Sequence, residues 1–386
     1  MMLRPSAWLL LGALLFAAAG CDKDKDAEPP AELVDLKPTI SVQRLWSTGI
    51  GGGAEVLRLS LGIAADAGRL FTASHEGEVY AIAPDSGRVM WKADTKAGLS
   101  AGPGAGGGIV VVGANDGDVI ALDAASGKPR WRVKVSGEVL GAPLVADDLV
   151  VVRSVDGRLR ALAVADGKER WVVEELVPRL TLRGTSSPVR SGELVICGFD
   201  NGKVMAVTLA AGDIVWQTQV STPRGRSELE RLADVDAAVQ VAGDDVYAVG
   251  FQGRIVMMAR DSGQIWWGRE VSSYRGLALD EDRVYVAGST GDVVALNRRD
   301  GSILWLQEGL KRRRLGAPAA DAAGVVVGDL EGYVHWLDRE SGRFVAREHP
   351  GGARISAAPV VLDGRVFVID DAGKIVAFRT GPAPGA

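Results

Sequence analysis

Histidine and cysteine, the side chains that most often build catalytic and metal sites, are scarce in this chain. Its three histidines, His75, His335 and His349, are scattered without metal-ligand spacing. Two cysteines, Cys21 and Cys197, are too few for disulfides to organise a chain of 386 residues. No Gly-x-x-x-x-Gly-Lys phosphate loop occurs. Acidic residues are plentiful but lie mostly in turns, where aspartate bonds its own backbone. The net charge of −5 is too modest and of the wrong sign for a nucleic-acid surface. Long hydrophobic runs are also missing. The longest, Ala7–Ala19, falls short of a bilayer span but suits the core of a signal peptide over residues 1–20, with Arg4 near its start.

What the chain does have is glycine, 50 residues of it, and a repeat. The stretch Asp116–Trp131, DGDVIALDAASGKPRW, combines a turn at Gly117, a short apolar strand, a second turn at Ser126-Gly127 and a tryptophan. Glycines 77, 117, 157, 202, 253, 291, 332 and 373 mark eight copies, spaced by 40, 40, 45, 51, 38, 41 and 41 residues. Trp91, Trp131, Trp171, Trp216, Trp267 and Trp305 close six of them, while the seventh has Ala346 instead. Two further strands precede each turn glycine, such as Gly102–Gly106 and Ile109–Gly113 in the second copy. A period near 40 with four short strands per unit predicts an all-β, eight-bladed β-propeller over residues 41–380. The last copy, Lys374–Arg379, has no following strand. Val42–Ser47 is expected to complete that blade, with Trp46 in the tryptophan position, which closes the ring and removes its exposed edges. Aromatic residues are only 6% of the chain, so the tryptophans are the main large packing elements between blades. Cys197, in the strand Leu194–Cys197, reads as a small core hydrophobe.

Ahead of the repeats, Ala18-Ala19-Gly20-Cys21 resembles a bacterial lipobox. That resemblance implies cleavage before Cys21 and its lipidation, which leaves no pair for an intrachain disulfide. Asp22 follows directly, a placement associated in enteric bacteria with retention at the inner membrane. The charged, proline-bearing segment that follows makes 21–40 a flexible tether in this reading. The one dense basic run, Lys311-Arg312-Arg313-Arg314, is expected to be a solvated loop between blades rather than a dedicated anion or lipid site.

Two families share the repeat. ALDAASGKPRW resembles the Ala-x-Asp-x-x-Thr-Gly-x-x-x-Trp pattern of quinoprotein dehydrogenases, eight-bladed enzymes that use pyrroloquinoline quinone and calcium. Those enzymes are much longer and carry an adjacent cysteine pair over the cofactor; this chain has neither. The closer resemblance, over nearly the whole mature chain, is to the BamB family of outer-membrane β-barrel assembly lipoproteins. Leu180–Gly184 (LTLRG), Arg231–Asp236 (RLADVD) and Gly328–Ala346 carry it. It implies a scaffold rather than an enzyme, without a cofactor and anchored by lipid to the periplasmic face of the outer membrane. Its partners would be the periplasmic domains of BamA and, by strand addition at blade edges, unfolded outer-membrane clients. The contact residues carried over are Leu180, Leu182, Arg183, Asp234 and Asp236.

Spacing points to the same two segments independently. The intervals of 45 and 51 residues are consecutive, and their excess falls in Glu174–Thr185 and Gln217–Asp236. Both follow an outermost strand, so both are expected on one side of the ring as adjacent loops, where binding residues commonly sit. Leucines beside an arginine have the composition of an interface hot spot. The competing reading pairs Arg183 with Asp234 or Asp236 and makes it a brace between the loops.

Overall fold

A computed structural model describes residues 28–51, 59 and 61–383. The signal segment, Cys21 and the start of the tether lie outside these residues. Among the described residues thirty-two strands, from β1 (Ser41–Gly49) to β32 (Lys374–Gly381), form eight separate four-stranded antiparallel sheets. Seven are built from four consecutive strands. The eighth has the order β1-β32-β31-β30, with β30 at Val360–Leu362 and β31 at Arg365–Ile369. The N-terminal strand thus closes the ring, as the sequence predicts, and it is longer than expected. Trp46 lies opposite Ala377, as Trp131 lies opposite Ala121 in the second blade.

Burial explains the strand sequences. In the second blade, β7 (Ile109–Ala114) is buried at every residue, because a neighbouring blade covers each face of the sheet. Such strands read as continuous apolar runs rather than alternating ones. The outermost strand β9 (Pro129–Lys134) alternates, with Trp131 and Val133 turned inward. Clusters of apolar side chains accordingly form between adjacent blades, such as the one joining Val111, Val119 and Ala121 to Val150, Val152 and Leu162. Gly127 shows why one turn position cannot change. Its φ is +70°, and a Cβ there would lie 2.6 Å from the ring of Trp91 in the preceding blade.

That contact is half of a clasp between blades. The Trp91 indole Nε1–H also donates to Ala124 O of the next blade at 3.0 Å. Trp131, Trp171, Trp216, Trp267 and Trp305 each do the same one blade further on, and Trp46 donates to Pro84 O across the closure.

Two expectations change. Over Glu28–Thr39 the segment read as a free tether lies against the propeller. Arg312 pairs with Glu28 at 2.8 Å and donates to Pro29 O at 2.7 Å. Arg313 donates to Ala31 O at 2.9 Å, Arg347 to Val34 O at 2.9 Å, and the Thr39 N–H to Val345 O at 2.9 Å. The basic run is therefore not wholly a solvated loop, although Arg312 and Arg314 are exposed. Arg313 is buried and paired with Asp329 at 2.6 Å and with Glu331. Composition alone hid this docking, because the arginines hold backbone carbonyls that any sequence would present.

Candidate functional site

The two longest connections between blades run from β13 (Glu169–Glu174) to β14 (Val189–Ser191) and from β17 (Ile214–Gln219) to β18 (Gln240–Ala242). They meet over the fourth blade, as their adjacency in sequence implied. The Leu182 N–H donates to the Asp234 carboxylate. Ser186 Oγ donates to Ala237 O at 3.0 Å. A Cβ on Gly184 would lie 2.9 Å from Asp236 Oδ2, so glycine allows the two backbones to approach.

Beneath the loops is a buried charge cluster. Arg153, fully buried at the end of β11 (Leu149–Arg153), reaches Asp200 at 3.1 Å and lies 4.5 Å over the Phe199 ring. Burial, reinforced by the charges of Asp234 and Asp200, holds the Asp236 carboxyl well above the usual range, with Arg153 opposing. Burial likewise lifts Asp234 to about 6; the Leu182 N–H opposes the shift and the charge of Asp200 adds to it. Asp234 Oδ1, Asp236 Oδ1 and Thr185 Oγ1 are closed to solvent without a partner. Burying polar oxygens of this kind carries a desolvation cost.

The predicted site residues therefore divide into two layers. Leu180 is 43% exposed, Arg183 is exposed, and Leu182 is half-buried where its backbone is tied down. Asp234 is 1% exposed and serves the first loop from below rather than facing solvent. Arg183 pairs with neither aspartate. Its guanidinium meets Glu138 at 2.8 Å, on the connection leading into the third blade. The competing reading thus had the wrong acid.

Sequence reasoning missed Arg153, Asp200 and Glu138. Arg153 did leave a signal. It ends a second strand whose counterparts end in Ala73, Ala114, Gly198, Val249, Ala287, Gly328 and Ile369. A charge at that position announces a buried partner.

Other candidates have structural explanations. Burial lifts the Cys197 thiol to about 11, as suits an inert core side chain. His335 is fully buried, and burial pushes its pKa down. Arg347 Nε donates to its Nδ1 at 3.2 Å, leaving Nε2–H to meet Asp329 at 3.0 Å. Nδ1 of His75 lies 2.7 Å from Leu99 O, and His349 stacks on Tyr333 at 4.2 Å. No cluster of three or more metal-ligating side chains occurs among the described residues.

Comparison with known proteins places the repeat in context. The sequence profile of "Outer membrane protein assembly factor BamB" matches residues 41–98, 75–307 and 289–381. The protein of that name from Pseudomonas aeruginosa is 46% identical over 95% of this chain and 97% of its own. The crystal structure of BamB from Moraxella catarrhalis superposes with a TM-score of 0.81 at 26% identity, over 88% of this chain and all of that one. The quinohemoprotein alcohol dehydrogenase of Comamonas testosteroni superposes at 0.70 with 15% identity, over 87% of this chain and 76% of its own. At that identity the dehydrogenase shares the fold alone.

Proposed function

The chain belongs to the BamB family of outer membrane protein assembly factors, and on that footing we propose that it is a lipid-anchored periplasmic scaffold binding the periplasmic domains of BamA. Leu180, Leu182 and Arg183 form the contact, and assistance to β-barrel insertion follows from holding BamA in a productive arrangement. The observation that carries this reading is the bond from Leu182 N–H to Asp234, which fixes the loop so that Leu180 and Arg183 point outward from a rigid ring. Preorganisation of that kind lowers the ordering cost of binding. Asp234 and Asp236 are positioning residues, and the site performs no chemical step.

Anchoring through Cys21 puts the scaffold on the periplasmic face of the outer membrane. A pull-down from detergent-solubilised membranes tests both parts. The full-length protein is expected to recover BamA and to fractionate with the outer membrane, whereas Cys21→Ser releases it to the soluble periplasm with its melting temperature unchanged. Recovery of no BamA sinks the partner assignment. Retention of Cys21→Ser in the membrane fraction at high salt sinks the anchor, and wild type in the inner membrane points to Asp22 as an active sorting residue.

A further inference from the structure

The second long loop buries Asp234 and leaves its arginines exposed. Residues 222–231, TPRGRSELER, lie on the surface and are folded into one braced turn. The Glu230 N–H donates to Ser227 Oγ at 3.2 Å, and the Glu230 carboxylate accepts the N–H groups of Arg226 at 2.7 Å and Ser227 at 3.1 Å. This is a reciprocal cap that satisfies the turn from within. Gly225 sits at φ +122° against the Glu230 side chain, where any Cβ would collide at 2.3 Å. From the next blade the Gln252 amide donates to Leu229 O at 3.3 Å.

The braced turn presents an unusual surface. Leu229, at its tip, is 65% exposed. Outside strands and the N-terminal segment, every large apolar side chain exposed among the described residues is on the two long loops: Leu176, Val177, Leu180 and Leu229. Around them Arg179, Arg224, Arg226 and Arg231 are exposed and lack an acidic partner among the described residues. Glu228 and Glu230 stand on the same turn, so its three arginines, Arg224, Arg226 and Arg231, exceed its two carboxylates by one charge, and Arg179 adds to the excess from the first loop.

We propose that this turn is the second half of the partner interface. Leu229 enters an apolar pocket of the partner while Arg224, Arg226 and Arg231 meet a negatively charged rim around it. The partner surface is thus a protein face of net negative charge with an apolar depression, and the second loop engages it through the turn rather than through Asp234 and Asp236. The inference rests on the reading that Leu180–Arg183 binds BamA. It adds a contact with its own chemistry: apolar insertion framed by charge, with arginine the residue type that interface hot spots favour.

The test is titration of the mature full chain with the periplasmic domains of BamA at low and high salt. Leu229→Ser and the triple variant Arg224→Gln, Arg226→Gln, Arg231→Gln are each expected to bind about tenfold more weakly or worse. Wild-type affinity should fall with salt, and the triple variant should show a flatter dependence. Leu229→Met should bind as wild type does. Thermal melts should superpose, since these side chains are exposed; if Leu229→Ser melts early, Arg226→Glu decides in its place. Binding of all these variants within about twofold of wild type, while Arg183→Glu loses affinity, overturns this second contact and leaves the first. Absence of wild-type binding removes both.

Discussion

Trp336 stands directly across the sheet from Ala346, the reverse of the other tryptophan-bearing pairs, where an outer-strand tryptophan faces a smaller or unbranched third-strand residue such as Ala121 or Met257. The loss of tryptophan from the seventh repeat is an exchange between partners. Its cause lies one blade further on. Each inward-facing outer-strand tryptophan clasps the glycine turn between the third and fourth strands of the next blade, and the eighth blade has no such turn because its fourth strand comes from the N-terminus. A tryptophan at 346 would have nothing to clasp. At 336 the ring packs edge-on against Phe378 of the eighth blade, 5.6 Å between centroids, and still fills the seam.

Removing a clasp should therefore cost more than adding one at the seam gains. Trp171→Ala is expected to destabilise by about 3–5 kcal/mol, the range for truncating a large buried aromatic. Ala346→Trp should also lower the melting temperature, since Trp336 already occupies the slot. Adding Trp336→Ala to Ala346→Trp should recover part of that loss. Thermal melts of the four proteins check this, and a stabilised Ala346→Trp would show the exchange to be incidental.

The parts of the fold legible in the sequence are those that each blade must repeat for the same physical reason. Gly127 and its counterparts need positive φ and room for a neighbour's indole, so they recur visibly. What was hidden depends on pairs far apart in the chain. Glu138 meets Arg183 across 45 residues, and Arg313 reaches Ala31 O across 282. Neither contact has a periodicity to reveal it. Asp234 was legible as part of the second long loop but not as a buried residue, because direction is set by the strand and turn beneath it.

Ring closure gives a second expectation. Deleting Val42–Ser47 removes most of β1 and exposes the edge of β32, together with the Trp46 contacts to Gly87 and Phe367. Stability should fall sharply and the protein should tend to associate through the open edge. A truncated protein that melts with the full one would contradict the observed register.

The carboxyls under the loops predict a pH dependence. Asp234 is lifted from 3.8 to about 6, so the folded protein holds a proton that the unfolded chain has released. Its contribution is fully present below about pH 4 and is lost as pH rises through about 6. Asp236, lifted further, extends the loss to higher pH. Asp236→Asn keeps the shape without the charge and should raise stability at neutral pH by about 1 kcal/mol or more. The difference in melting temperature between variant and wild type should be small at pH 4 and grow towards pH 8. A difference that does not change with pH would mean that Asp236 titrates normally.

The pair Arg183–Glu138 separates positioning from direct contact. An exposed ion pair is worth about 0–1 kcal/mol, so Arg183→Glu should leave the fold intact. If Arg183 touches BamA, that variant should lose on the order of thirtyfold in affinity, the scale of a truncated hot-spot arginine, and reversal of charge should add to it. The reversal also sets two carboxylates against each other beside Glu138, which by itself shifts the loop. Combining Arg183→Glu with Glu138→Arg restores an ion pair of opposite polarity and should return the loop to its place. Weak binding by the double variant is the expected result, since the guanidinium is then presented from the wrong connection. Full recovery of binding would show that Arg183 acts only by bracing the loop, and the outward-facing contact would rest on the leucines. Co-purification with BamA, read beside a thermal melt of each variant, distinguishes the two.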